Sequence, residues 1–466
     1  MVVLNCGNKR YIRLWLVLIL LSSALLLIWR NLQQAQMLSR APELGSLIGV
    51  PPDLPADSYE EYVELPGIAR REDSPRTRDL QLLLKCRNRS LRFQRLQHGD
   101  YWLLQNLVIG RKSRHVGCAE TVTYTTNGDF TFFDNLETVV SRWRAPVSFA
   151  IHAPGYDMNT ALDAIRYVRN CLPGSEVIKD WVTFHVYFPN RHMPEYVPYG
   201  EHRALGQPYA CTLANGTQVP PPYALVPRSE SYKARANLSY PINVGRNIAR
   251  QAATTHFVFA CDIELYPSLG FVDQFLDMVA RNHSVLALDP KQPRRVYPLP
   301  VFEVESGAPV PKDKAELLAL FGSQRAQVFH LKLCPTCHMI PGQKEWLNQT
   351  SREGERLHVF SHAVRRNKFR AWEPFYVSDN TEPFFDERVT WEGQSNKRIQ
   401  NYAMCLLGYE YHVLSPAFLV HSPGIKKFTK SDSVRLKLAK DMTKFIKDKI
   451  EPEYRVLFGR NSACKT

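Results

Sequence analysis

Twelve consecutive residues, Phe257-Val258-Phe259-Ala260-Cys261-Asp262-Ile263-Glu264-Leu265-Tyr266-Pro267-Ser268, constrain the fold of this chain more than any other stretch. β-prone apolar residues lead up to two acids spaced i and i+2, and a proline and a serine end the run. The pattern reads as a buried strand whose acids emerge at its carboxyl end, where open α/β sheets bind their ligands. Two carboxylates one residue apart at such a bend can both reach a hard divalent cation, which takes oxygen ligands and bridges to phosphate. The same acid-x-acid spacing recurs at Glu303-Val304-Glu305, where it reads as an ordinary strand with solvent-facing acids. What sets Asp262 and Glu264 apart is the buried strand before them and the residues that accompany them elsewhere.

The surrounding pattern supports an α/β fold. From Val122 strands alternate with helices: a strand over Val122-Thr123-Tyr124-Thr125-Thr126, helical spacing of Leu136, Val139, Val140 and Trp143, and a second strand from Val147 to Ala153. A second helix is marked by Met158, Leu162, Ile165 and Tyr167, and a third strand runs from Val182 to Phe188. Repeated βαβ order predicts a doubly wound, mostly parallel central sheet with helices on both faces. A Pro- and Tyr-rich insertion from Pro189 to about Pro241 interrupts it and reads as an acceptor-side loop. The block Pro241 to Arg250 is a helix feeding directly into the Asp262 strand. Asn243, Arg246 and Asn247 lie near its start, where anions are favoured, so they are candidates for contact with an anionic ligand; an ordinary amphipathic helix is the alternative.

The C-terminal half adds Trp372-Glu373-Pro374-Phe375-Tyr376-Val377, Phe384-Phe385-Asp386-Glu387-Arg388-Val389, and a helix from Lys397 to Leu407. Phe418-Leu419-Val420-His421-Ser422-Pro423-Gly424-Ile425-Lys426-Lys427 then puts a histidine at the end of an apolar strand. Glycine follows three residues on, and lysines at five and six. Imidazole can complete a metal site begun by carboxylates, glycine lets backbone approach a pyrophosphate, and lysine neutralises it. Taken alone, His421 is an ordinary packing or capping histidine. Cys334-Pro335-Thr336-Cys337-His338 has the form of a redox or haem-attachment signature, but it lacks the second half of a zinc site and reads as a structural disulfide or packed thiol pair. The segment Ser431 to Ile450 reads as a basic amphipathic helix packed on the head.

The N-terminus bears on compartment. Leu14 to Trp29 is uncharged and rich in Leu and Ile, with Lys9, Arg10 and Arg13 before it and Arg30 after it. Excess positive charge on the N-terminal side predicts an uncleaved signal anchor with the bulk of the chain luminal, a single-pass type II arrangement. The rival is a cleaved signal peptide. The expected division is a cytosolic tail (1–13), an anchor (14–29), a luminal stem (30–78) and a catalytic domain (79–466). Within that domain, about 120–290 form the donor-binding half, about 291–430 the acceptor-side half, and 431–450 a terminal helix. Five Asn-x-Ser/Thr sequons, at Asn88, Asn215, Asn237, Asn282 and Asn348, agree with a luminal destination. Of the ten cysteines, Cys6 falls on the cytosolic side; the nine that remain imply at least one unpaired thiol. The net charge of +14 is spread along the chain without a nucleic-acid motif, so nucleic acid is not an expected partner.

A luminal, doubly wound enzyme with an acid pair at a strand end and a His-Gly-Lys set suits nucleotide-sugar transfer, in which positive charge offsets a leaving diphosphate. The Pro241 to Arg250 block, Asp262-Ile263-Glu264-Leu265-Tyr266-Pro267-Ser268, the Trp372 block, Phe385-Asp386-Glu387-Arg388 and Leu419-Val420-His421 occur in order. On these blocks the chain resembles the luminal domain of glycosyltransferase family 49 from about Val122 to Lys427. The resemblance implies a GT-A fold in the Golgi membrane, Mn2+, UDP-glucuronate as donor, and inverting beta-1,4 transfer to a xylose-ended O-mannosyl glycan on a glycoprotein of the dystroglycan type. It also implies that Asp262, Glu264 and His421 hold the metal. His421, Gly424 and Lys427 match the His-x-x-Gly-x-x-Lys spacing of glycogenin-like transferases, which puts Lys427 on the diphosphate. The family's usual Asp-x-Asp is Asp-x-Glu here, which keeps the oxygen ligands on a longer arm.

An inverting transferase needs a general base for the acceptor hydroxyl. Asp386 is the first choice, with Glu387 and Glu373 behind it; a salt bridge to Arg388 or a turn carboxylate is the alternative for Asp386. For the uronate carboxylate Arg246 and Lys426 are unranked candidates. Two other readings stand beside glucuronyl transfer: the same fold using another UDP-sugar such as UDP-GlcNAc for beta-1,3-N-acetylglucosaminyl transfer, and a non-catalytic luminal protein that assists a partner glycosyltransferase in a complex.

Overall fold

The computed structural model of the chain describes residues 74–206, 208–350, 354–426 and 430–466. The expected anchor, the stem as far as residue 73, and Lys427 lie outside them. Among the described residues no helix is long and apolar enough to cross a membrane.

Helix α1 (Pro75–Leu84) starts at Ser74, whose hydroxyl accepts the backbone N–H of Thr77. The hairpin of β1 (Gln94–His98) and β2 (Tyr101–Val108) follows. The alternating core comes next: β3 (Val122–Gly128), α2 (Leu136–Trp143), β4 (Val147–His152), α3 (Asp157–Asn170) and β5 (Val182–Pro189). β3 and β4 are buried along their whole length, as strands covered on both faces are. Helix α4 (Ile242–Ala252) leads into β6 (Phe257–Ala260), β7 (Leu265–Pro267), α5 (Phe271–Arg281), β8 (Arg295–Leu299), β9 (Val301–Val304) and β10 (Ala326–Val328). The chain continues through β11 (His358–Ala363), β12 (Phe375–Ser378), α6 (Asn396–Leu406), β13 (Glu410–Ser415), β14 (Leu419–His421), α7 (Lys430–Phe445) and α8 (Glu451–Phe458).

The large sheet has ten strands in the order β1-β2-β5-β4-β3-β6-β12-β8-β13-β11. Its inner strands β5, β4, β3 and β6 are parallel, whereas β2 and β12 flank them antiparallel. The sheet is therefore mixed around a parallel centre, not mostly parallel as the βαβ pattern suggested. The β1–β2 turn is too short to carry a crossover helix, and β12 enters from the opposite end of the sheet. From β3 the chain steps outward to β4 and β5, then returns to the other flank of β3 with β6. The carboxyl ends of β3 and β6 thus form the switch point of the sheet, where ligands bind in folds of this kind.

A second sheet, β10-β9-β14-β7, is seated by that switch point. β14 runs antiparallel to β7, with His421 opposite Leu265, and parallel to β9, with His421 opposite Glu303. Glu303 is fully buried, contrary to the solvent-facing acid expected there; its carboxylate accepts Gln327 Nε2 at 2.5 Å and the backbone N–H of Lys426 at 3.2 Å. The insertion before α4 closes over the ends of β3 and β4. Asp157 accepts the backbone N–H groups of Tyr232 (2.8 Å) and Lys233 (3.1 Å), and the Lys233 ammonium pairs with Asp129 at 2.6 Å. At the other end of the chain, Ile446, Ile450 and Tyr454 pack with Ile399, Tyr402 and Ala403 of α6.

Disulfides join Cys86 to Cys118, Cys171 to Cys211, Cys334 to Cys337 and Cys405 to Cys464, leaving Cys261 as a buried free thiol. The Cys-x-x-Cys motif is thus a closed turn, and among the nine cysteines of the described residues Cys261 is the unpaired one that an odd number requires. All five sequon asparagines are exposed.

Candidate active site

β6 ends at Ala260, so both acids stand in the turn between the large sheet and the small one. The fully buried Tyr124 of β3 holds that turn from beneath: its hydroxyl lies 2.8 Å from the Asp262 carbonyl and 2.9 Å from that of Leu265. The Ser422 N–H donates to the Glu264 carbonyl at 2.7 Å, which draws the end of β14 against the acid turn. Strand pairing alone therefore brings His421 to Glu264, with Nε2 3.8 Å from Oε1.

The two acids have different company. Arg246 Nη2 donates to Asp262 Oδ1 at 2.7 Å, and Lys397 Nζ to Oδ2 at 3.0 Å. Burial pushes the Asp262 carboxyl up, but the charges and hydrogen bonds of Lys397 and Arg246 outweigh it and hold the group far below the usual carboxylate range. Burial acts likewise on Glu264, and is outweighed by the close approach of the His421 ring and the charge of Lys426. His421 Nδ1 faces the Ser422 carbonyl at 2.8 Å and so carries the ring proton. Nε2 is buried without a hydrogen-bond partner.

Two further histidines border these groups. Phe329 stacks on His421 at 5.2 Å and packs on His338 at 4.8 Å; His338 in turn stacks on Phe375, over whose face the Lys397 ammonium sits at 4.0 Å. His330, in a left-handed backbone conformation (φ 57°), lies 5.4 Å from His338. Burial lowers the pKa of both to about 3, with help from the charge of Lys397 and, for His330, of Lys426. His330 Nε2 and His338 Nδ1 are buried without hydrogen-bond partners.

A family model described as Glycosyl-transferase for dystroglycan matches residues 121–459, from the start of β3 into the chain's final turns. The chain belongs to this family. It is a glycosyltransferase, of a kind that uses a nucleotide-sugar donor and a glycan acceptor. The transferase is similar to Beta-1,4-glucuronyltransferase 1 of Danio rerio, with 27% identity over 334 residues, 71% of this chain and 71% of that protein. The protein of the same name from Homo sapiens is 26% identical over 301 residues, 64% of this chain and 66% of its own length. Xylosyl- and glucuronyltransferase LARGE1 of Homo sapiens is 26% identical over 219 residues, covering 47% of this chain and 24% of that one.

Several of the other expected site residues of the transferase make hydrogen bonds that hold the fold. The polar face of α4 clamps the segment from Asn380 to Asn396. Asn243 Nδ2 donates to the carbonyls of Asp386 (2.8 Å) and Asn396 (3.2 Å), and Asn247 brackets the backbone of Phe385 with bonds of 2.9 and 3.0 Å. Arg246 has bonds to Asn243 (3.1 Å) and Asn396 (2.7 Å) besides Asp262, and it stacks on Phe385. Asp386 is closed by Arg388, at 2.9 and 2.7 Å, and by the Tyr454 hydroxyl at 3.2 Å, which is the salt-bridge alternative for that residue. Glu373 pairs with Arg398 at 3.1 Å. Glu387 takes His98 Nε2 (2.7 Å) and Asn247 Nδ2 (2.8 Å) on one oxygen, and its other oxygen makes no hydrogen bond among the described residues. Gly424 adopts φ 138° and donates its N–H to the Val304 carbonyl; two residues on, the backbone N–H of Lys426 bonds Glu303, and the Lys426 charge acts on Glu264.

Sequence reasoning missed Lys397, His330 and His338 as neighbours of the acids. Lys397 was visible only as the start of a helix, and His338 only as the end of a Cys-x-x-Cys-His pattern. Among the described residues no three His, Cys, Asp or Glu side chains converge closely enough to hold a metal ion. Glu264 and His421 pair, while Asp262 turns to its two cations. A divalent cation still suits the donor chemistry of the pair: His421 presents an unpartnered Nε2 toward a carboxylate, and its Nδ1 proton is fixed by a carbonyl, as in metal-binding histidines generally.

Proposed function

We propose that the chain is an inverting glucuronyltransferase that moves glucuronate from UDP-glucuronate to a xylose-ended O-mannosyl glycan of the dystroglycan type in a beta-1,4 linkage. The observation that carries this reading is the switch-point site, where Asp262, Glu264 and His421 meet Lys397 and Lys426. The names of the relatives, Beta-1,4-glucuronyltransferase 1 among them, support the choice of donor. Arg246 is fully committed, so Lys426 is the better of the two cations for the uronate carboxylate.

Glu264 and His421, joined by Asp262, are the residues that would hold Mn2+, and the ion would supply positive charge to the diphosphate. The acceptor hydroxyl attacks the anomeric carbon as the bond from that carbon to the β-phosphate oxygen breaks, the electron pair leaving on the phosphate. Glu387 takes the hydroxyl proton; unlike Asp386 and Glu373, it is not held by an arginine. The exposed sequons, the disulfides and the apolar run Leu14 to Trp29 favour a type II Golgi membrane protein with a luminal catalytic domain.

The test is a donor screen with the full chain in detergent, a xylose-ended acceptor and Mn2+. UDP-glucuronate is expected to be used, and Asp262→Asn to lower transfer about 100-fold. Turnover of UDP-GlcNAc in its place would select the alternative donor. Undiminished turnover by Asp262→Asn would remove the acid turn from the mechanism.

A further inference from the structure

Asp262 holds more positive charge than it needs. One carboxylate pairs with two cations, and these are held very differently. Arg246 is only 5% exposed, gives hydrogen bonds to Asn243, Asn396 and Asp262, and is stacked on Phe385; it is fixed on every side. By itself it neutralises Asp262. Among the described residues the Lys397 ammonium makes one hydrogen bond, to Asp262 Oδ2, and otherwise rests on the Phe375 ring. Its flexible stem lets the ammonium move by ångströms without disturbing α6.

Lys397 is also 13% exposed, so its charge is largely removed from water. A second cation on an already neutralised acid costs desolvation that the fold does not recover, unless an anion is to arrive. The neighbours are arranged accordingly. His338 stacks on the same Phe375 ring that carries the Lys397 ammonium, and Lys426 adds a further positive charge that acts on Glu264.

We propose that Lys397 is a catalytic residue of the transferase: its ammonium exchanges Asp262 for the diphosphate of the bound nucleotide sugar and stabilises the charge that builds there. The inference rests on the nucleotide-sugar donor and does not depend on which sugar is moved. In the transfer step the anomeric carbon–oxygen bond breaks with its electron pair kept by the β-phosphate oxygen. The acceptor oxygen forms the new bond, its proton passes to Glu387, and Lys397 keeps its own proton throughout, acting as a fixed charge. Release of Lys397 also frees one oxygen of Asp262.

The experiment compares binding of UDP and UMP to the full chain by calorimetry, for the parent, Lys397→Met and Lys397→Arg, with thermal unfolding run on each. The expected result is that Lys397→Met weakens UDP about 10-fold and leaves UMP unchanged, because only UDP carries the second phosphate. Lys397→Arg is expected to restore most of the UDP affinity, and kcat of Lys397→Met to fall on the order of 100-fold. A Lys397→Met protein that binds UDP and UMP as the parent does would overturn the proposal. So would equal loss of both ligands with a lowered melting point, the mark of a structural ion pair. Should Lys397→Met not fold, Lys397→Gln is read by the same two ligands. If the parent binds UDP but transfers no glucuronate, the donor assignment fails, and the UDP-against-UMP comparison still decides the role of Lys397.

Discussion

Asp262 and Asp386 are both aspartates beside an arginine, yet their surroundings assign them opposite uses. Arg388 is two residues from Asp386 and closes on it from the same turn, and Tyr454 adds a hydroxyl. Asp262 draws its cations from two separate helices, so its environment can change when either side chain moves. Asp386→Asn is therefore expected to act on stability, lowering unfolding free energy by about 1–3 kcal/mol in urea titration while kcat changes little. Glu387→Gln should do the reverse, with kcat down about 100-fold and the melting point nearly unchanged. A shared stability loss and unaltered kcat for both variants would place the proton acceptor elsewhere. Arg250 and Glu382 form a fully buried pair at 3.0 Å. Removing one partner strands the other, so Glu382→Leu should cost about 3–5 kcal/mol, measured the same way.

Helix α4 is the element on which both halves of the site depend. Its apolar residues Val244, Ile248 and Ala249 pack with Leu103, Ala150 and Tyr187 of β2, β4 and β5, and Asn243, Arg246, Asn247 and Arg250 on its polar side hold the segment from Asn380 to Asn396. Gly245 permits the close approach. A Cβ there would stand 2.7 Å from the Tyr187 hydroxyl and 2.8 Å from Asn127 Cβ. Gly245→Ala should thus push α4 away from the sheet, costing about 1–3 kcal/mol of stability, and should weaken nucleotide binding by displacing Arg246 from Asp262. Calorimetry of UDP binding beside a urea titration separates the two effects. The C-terminal segment is a second unit of this kind: Cys405 to Cys464 closes a separation of 59 residues around α7 and α8. Cys464→Ser should cost about 2–4 kcal/mol in the same assay.

The whole molecule carries an acid sensitivity built from buried neutral histidines. Burial lowers the pKa of His152 and of His185 to about 3. His185 is held by Asn106 N–H at 2.8 Å and Ser148 Oγ at 2.9 Å, so one ring nitrogen must keep its lone pair. Unfolded histidine takes up a proton near pH 6.5, where the folded protein does not. Between these values the unfolded state binds more protons, and stability rises with pH. Lowering the pH from 7 to 5 should therefore remove up to about 2 kcal/mol for each such histidine. Urea titrations at the two values check this, and His185→Gln should flatten the difference.

Much of this architecture is legible in local pattern. The strands from Val122, Val147 and Val182, the helices between them, the acid turn at Asp262 and the strand end at His421 are readable because burial on a regular element imposes a period on neighbouring residues. The exposed sequons and the closed Cys334–Cys337 turn follow from equally local chemistry. Partnership was not legible. Whether Glu303 lies beneath His421, whether Asn243 meets a ligand or a loop, and whether Lys397 reaches Asp262 depend on strands and helices more than a hundred residues apart in sequence. Lys397 lies 135 residues from Asp262, and nothing in either neighbourhood records the other. Periodicity survives in the linear chain because its cause acts between adjacent residues; an ion pair across the fold leaves no such trace, since only the closing of β3, β6 and β14 around one turn brings its members within reach.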